Sequence, residues 1–130
     1  MKVALAQINP TVGDFTGNRR LIERAAIAAA AAGARLVVFP EQALCGYPAE
    51  DLLLRETFLQ AHDRALEALA GTLPPNLCVL VGCLARNERR HEGGRPLFNA
   101  VAAIEDGLVR IVARKSLLPT YDVFDEARYF

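Results

Sequence analysis

The sequence predicts an α/β fold built on a mixed sheet with helices on one face. Three observations carry this. The chain opens with an apolar run at residues 3–8, a helical period from Arg19 to about Ala32, and a second apolar run at 36–39. Short connections on each side make this a parallel crossover unit. A second helical period at 56–70 leads into a third apolar run at 77–85. Two further runs, 97–104 and 108–113, are joined by Glu105-Asp106-Gly107, a hairpin signal.

Each element has a local reason. Residues 3–8 are nearly continuous apolar sequence, as expected of a buried strand. Asn9-Pro10-Thr11-Val12-Gly13-Asp14 reads as a loop, with Thr16 and Asn18 as candidate helix caps. Leu21, Ile22, Ala25, Ala29 and Ala32 recur at helical spacing, and Gly33 stops the helix. Its many alanines allow a close approach to a sheet. Ala49-Glu50-Asp51 opens a helical turn. The next helix presents Phe58, Ala61, Ala65 and Leu69 on one face and stops at Gly71. Residues 87–96 are polar, contain Gly93-Gly94 and read as an exposed loop.

The last three strands read as apolar on both faces, which requires both faces to be covered. Two helices cover one. The other face is expected to meet further sequence or a second copy of the chain, and the chain is expected to self-associate.

The 130 residues suit one small domain, and 52% hydrophobic content supplies a core. Fifteen basic residues balance fifteen acidic ones, which argues against partners held by bulk charge: no nucleic acid and no membrane surface are expected. No apolar stretch is long enough to span a bilayer and the start lacks a signal-peptide layout, so a cytoplasmic location is expected. Cys45, Cys78 and Cys83 show no paired metal spacing, so no metal site is expected. Cys78 and Cys83 read as buried hydrophobes. Cys45, in the loop after Glu41, is a candidate thiol, though a nearby carboxylate would raise its pKa. His62 and His91 have no convergent partner and read as structural or solvated.

Two charged residues stand out. Glu41 follows the apolar run ending in Phe39-Pro40, and Lys115 follows the run ending in Ala113-Arg114. Each is an ionisable group where a strand gives way to a loop, a common place for sheet enzymes to put chemistry. A solvated strand end is the plainer reading of either alone. If both belong to one site, their charged atoms should lie about 3–6 Å apart. A carboxylate base and an ammonium are two parts of a covalent amide-cleaving site; the third is a nucleophile.

The ordered set Val3-Ala4-Leu5-Ala6-Gln7-Ile8-Asn9-Pro10, Gly33 through Glu41, Leu44-Cys45-Gly46-Tyr47-Pro48 and Lys115-Ser116-Leu117-Leu118-Pro119 resembles the nitrilase superfamily of carbon–nitrogen hydrolases. Gly46 through Leu53 and Leu118 through Phe130 are most similar to the N-terminal glutaminase domains of glutamine-dependent NAD synthetases. The resemblance implies a nitrilase-like α-β-β-α sandwich, of which this chain supplies one half. Residues 1–130 would be the N-terminal portion of a glutaminase domain, incomplete at the C-terminus.

It also implies roles. Glu41 matches the general base and Lys115 the stabiliser of the tetrahedral intermediate. Glu126 matches a supporting carboxylate, with Tyr47, Tyr121, Phe124 and Glu126 contacting substrate. The nucleophilic Cys of the family lies beyond Phe130. The implied substrate is glutamine. ATP, magnesium and deamido-NAD belong to the synthetase part of the longer protein, and the implied partners are the remainder of that chain or further copies in a homo-oligomer. Two other readings stay open: a portion of a free-standing amidase, nitrilase or carbamoylase, and an inactive, assembly-forming fragment.

Overall fold

A computed structural model describes all 130 residues. Five strands, β1 (Val3–Leu5), β2 (Leu36–Val38), β3 (Cys78–Arg86), β4 (Leu97–Glu105) and β5 (Leu108–Arg114), form one sheet in sequential order. The first three are parallel, and β4 and β5 continue antiparallel. Helices α1 (Phe15–Ala31) and α2 (Glu56–Ala70) make the two crossovers.

Both helices pack on the same face. The core joins Ile22, Ala26 and Ala29 of α1, and Leu69 and Ala70 of α2, to Val37, Val79, Val81, Cys83, Ala100, Ala102 and Ile104 of the sheet. Alternate side chains of β3 and β4 point to this face. Each large aliphatic side chain buried here contributes about 1.5–3 kcal/mol relative to exposure. On α1 the buried residues after Ile22 are alanines, so the helix backbone lies close to the sheet.

Several elements differ from the sequence reading. Helix α1 starts at Phe15 rather than Arg19, and Asp14, not Thr16 or Asn18, caps it: the Gly17 N–H donates to Asp14 Oδ1 at 2.8 Å. Asn18 is buried inside the first turn. Ala32 is exposed, and Ala26 takes the sheet-facing position. Helix α2 is turned so that Leu59 and His62 face inward, while Ala61 and Ala65 are half-buried. Strand β1 ends at Leu5, although the Ala6 N–H still donates to the Val38 carbonyl at 2.9 Å. The hairpin turns at Asp106 and Gly107, both at positive φ (49° and 78°), as a two-residue I′ turn requires.

The β1–β2 part of the opposite sheet face has no layer over it, whereas Leu84, Leu97 and Asn99 on its β3–β4 part are buried. Val3 and Leu5 are exposed on that face, and Leu36, Val38, Leu80 and Val101 are half-buried. Strand β5 departs further from the two-sided apolar reading, because every one of its residues is exposed. It lies at the sheet edge, carries Arg110 and Arg114, and even its helix-side Val109 and Ile111 remain uncovered.

Candidate functional site

Glu41 is placed by the loop that leaves β2 and docks on β3. The Phe39 N–H donates to the Leu80 carbonyl at 2.8 Å, and the Leu44 N–H reaches the Gly82 carbonyl at 3.4 Å. Gly82 makes this docking possible, since a Cβ there would strike the Gln42 nitrogen and the Pro40 oxygen. Asn18 holds the far side of the loop. Its carboxamide exchanges two hydrogen bonds with the Thr11 backbone, both 2.8 Å, and donates to the Leu44 carbonyl at 3.1 Å. Read as a cap in the sequence, Asn18 instead ties the loop after β1 to the loop after β2.

Lys115 follows β5, two strands away from β3. Its Nζ lies 2.9 Å from Glu41 Oε1 and 2.9 Å from Glu126 Oε2. Glu126 is 5% exposed and opens the short 3₁₀ turn Glu126–Arg128. The segment after Lys115 folds back to bring it there, with the Glu126 N–H donating to the Pro119 carbonyl at 3.1 Å. One ammonium thus bridges two carboxylates. Burial acts to lower the Lys115 pKa, but hydrogen bonds to Glu41 and Glu126 outweigh it and hold the pKa above its ordinary value.

The aromatic candidates gather on the Glu126 side. The Tyr47 hydroxyl donates to Glu126 Oε1 at 2.9 Å, and burial followed by that bond pushes the Tyr47 pKa up to about 12. Phe124 lies between Tyr47 and Tyr121, with ring centroids 6.5 and 5.8 Å away. Tyr121 is 70% exposed, so it is not a core residue. A cavity of about 220 Å³ runs behind Tyr47, Phe124 and Glu126. A second, of about 280 Å³, is lined by Glu41, Gly82, Asn99 and Lys115.

Sequence reasoning missed Asn99. This β4 residue is buried and its carboxamide donates to Glu41 Oε1. Its one available signal was a lone amide in an otherwise apolar strand.

The cysteines are far from reactive. Cys45 is fully buried, its Sγ turned toward the Gln42 carbonyl, and desolvation pushes its pKa up to about 12. Burial does the same to Cys83. Cys78 begins β3, four residues or roughly 13 Å of strand from Gly82, at the other end of the strand from Glu41. His62 is buried and structural: its Nε2 accepts from the Leu84 N–H at 3.1 Å, and Nδ1 faces Asp63 at 3.2 Å. His91 is exposed beside Glu92. No group of three His, Cys, Asp or Glu side chains converges as a metal site, and no helix is long and apolar enough to cross a membrane.

A carboxylate beside a fixed ammonium can take a proton from a nucleophile while the ammonium stabilises an oxyanion. Known proteins share the arrangement's frame. The chain is 45% identical over 129 residues to a glutamine-dependent NAD(+) synthetase of Synechocystis sp. and 43% identical to that of Thermotoga maritima. These matches cover 98% and 100% of this chain but 23% and 22% of the relatives, so the chain spans about a quarter of their length. The solved glutamine-dependent NAD+ synthetase of Acinetobacter baumannii, in complex with ADP, superposes with a TM-score of 0.87 at 37% identity, over 100% of this chain and 24% of that one. The NitN amidase of a Nesterenkonia species shares the fold at 21% identity, with a TM-score of 0.72 over 100% of this chain and 49% of its own. Residues 2–130 match the carbon-nitrogen hydrolase family, and the chain belongs to that family.

Proposed function

We propose that this chain is part of a glutamine-hydrolysing site that supplies ammonia to an ATP-dependent NAD synthetase. The observation that carries the reading is the Lys115 ammonium held between Glu41 and Glu126. The 45% and 43% identity to glutamine-dependent NAD(+) synthetases supports the choice of substrate.

The nucleophile in this reading is the thiol that the family resemblance places in sequence outside these 130 residues; Cys45 and Cys83 are buried in the core. Glu41 takes the thiol proton as sulfur attacks the glutamine carboxamide carbon. Lys115 has three N–H donors, and the two carboxylates occupy two directions. The third stabilises the oxyanion of the tetrahedral intermediate. Collapse breaks the C–N bond, and the proton on Glu41 leaves with ammonia. Glu41 then takes a proton from water as it attacks the thioester, glutamate departs, and the thiol is restored. Glu126 holds Lys115 in place, while Tyr47, Phe124 and Tyr121 shape the substrate side.

In this reading ATP, magnesium and deamido-NAD belong to the synthetase part of the longer protein. The reading carries a cytoplasmic location and the remainder of the chain as first partner. It is tested by glutamate release from the longer protein. Glu41→Gln should lower turnover by several powers of ten with the fold intact, and the isolated 130-residue chain should release none above that control. Turnover of simple amides or nitriles with no turnover of glutamine would replace this reading with a free-standing amidase.

A further inference from the structure

We propose that Asn99 is a positioning residue that decides which oxygen of Glu41 acts as the base. The inference rests on the reading of Glu41 as general base. Asn99 is 4% exposed and sits on β4 opposite Leu84 of β3. Its Nδ2 donates to Glu41 Oε1, the same oxygen that Lys115 Nζ meets at 2.9 Å. Neither donor reaches Oε2. Asn99 also holds Lys115 from behind, because its carbonyl accepts from the Lys115 N–H at 2.8 Å. One residue therefore fixes the carboxylate with its side chain and the lysine with its backbone.

The chemistry follows from the donor count. A carboxylate oxygen receiving two donors, one of them cationic, is the poorer proton acceptor. Oε2 is left as the acceptor, and the plane of the carboxylate is set by the two bonds at Oε1. A neutral amide suits this place. A second cation would hold the base too firmly in its ionised form, and an acid would repel it. The amide orientation is fixed because an ionised Glu41 can only accept, so Nδ2 must face it.

The test uses the longer protein carrying Asn99→Ala and Asn99→Asp. For Asn99→Ala, kcat for glutamine should fall about 10–100-fold with KM within about threefold. Loss of a donor to the ionised form should also move the acid limb of the kcat/KM profile upward. Asn99→Asp, matched in shape, should move that limb further, and it serves if the alanine variant is unfolded by circular dichroism. The Glu41 carboxyl titration, followed by carbon-13 NMR, should shift upward in parallel. An unmoved acid limb and an unmoved Glu41 titration in a folded variant would overturn the inference, as would a KM rise at constant kcat. If the parent protein lacks glutamine turnover, the glutaminase reading fails separately, and the Glu41 titration still decides the role of Asn99.

Discussion

Lys115 Nζ and Glu41 Oε1 lie 2.9 Å apart although 74 residues separate them in the chain. The same ammonium touches Glu126, which is buried. Removing the lysine leaves two carboxylates facing each other, one without solvent. Lys115→Met should destabilise the protein by about 2–4 kcal/mol, since breaking a buried pair strands a charge. Adding Glu126→Gln should restore part of that loss. Urea midpoints of the two single variants and the double variant check this.

Alkaline pH should loosen the same cluster. The folded Lys115 pKa lies above its ordinary 10.5, so its contribution is complete below 10.5 and is lost as pH rises through the folded value. Tyr47 behaves alike. Its folded pKa is about 12 against 10.0, so stability is lost between those values as folding resists phenolate formation. Thermal midpoints should therefore fall from pH 10 upward, and less steeply in a Lys115→Met, Tyr47→Phe double variant.

Gly82→Ala should displace the Glu41 loop. The new methyl meets backbone atoms of Gln42 and Pro40, which cannot swing aside as a side-chain end can. A cost of about 2–4 kcal/mol and a tenfold or greater loss of turnover are expected. Gly71→Ala is the control. Its φ of −76° suits alanine and its nearest contact would be ordinary, so it should raise stability by about 0.4–1 kcal/mol.

Cys45→Ala should leave turnover within a few-fold of the parent. The thiol is sealed from solvent and held protonated, its pKa near 12. A loss of several powers of ten in a folded variant would make Cys45 the nucleophile after all.

The 130-residue chain on its own should self-associate. Val3 and Leu5 are exposed on the face that also carries the half-buried Leu36, Val38, Leu80 and Val101, and no layer covers that part of it. Covering such a face is worth about 25 cal/mol per Å² of apolar surface. Light scattering at micromolar concentration should report species larger than a monomer; a compact monomer that binds no apolar dye would contradict it.

The parts legible in the sequence were those with a local cause. Glu41 and Lys115 each end an apolar run, the Asp106-Gly107 turn carries its own backbone signature, and Gly71 closes α2 where the helical period stops. The parts that were not legible depend on what faces what. Asn99 reads as any strand residue until the β3–β4 register brings it against Glu41. Asn18 resembles a cap because capping is what a local reading offers, yet its partners include Leu44, 26 residues away. Strand β5 reads as buried because its composition is apolar, whereas its burial depends on its place at the sheet edge.

Glu126 reaches the cluster through residues 116–125, a segment outside the sheet ladder and both helices. Within it, backbone bonds are sparse, from the Phe124 N–H to the Tyr121 carbonyl and from Glu126 back to Pro119. The Glu41 arm, by contrast, is anchored in the centre of the sheet. The cluster is thus half scaffold and half clasp, and its opening free energy is that of the clasp rather than of the domain. Amide hydrogens of 116–125 should exchange through that local opening, ahead of those in β3 and β4, and the second carboxylate should leave Lys115 while the fold around Glu41 is still whole.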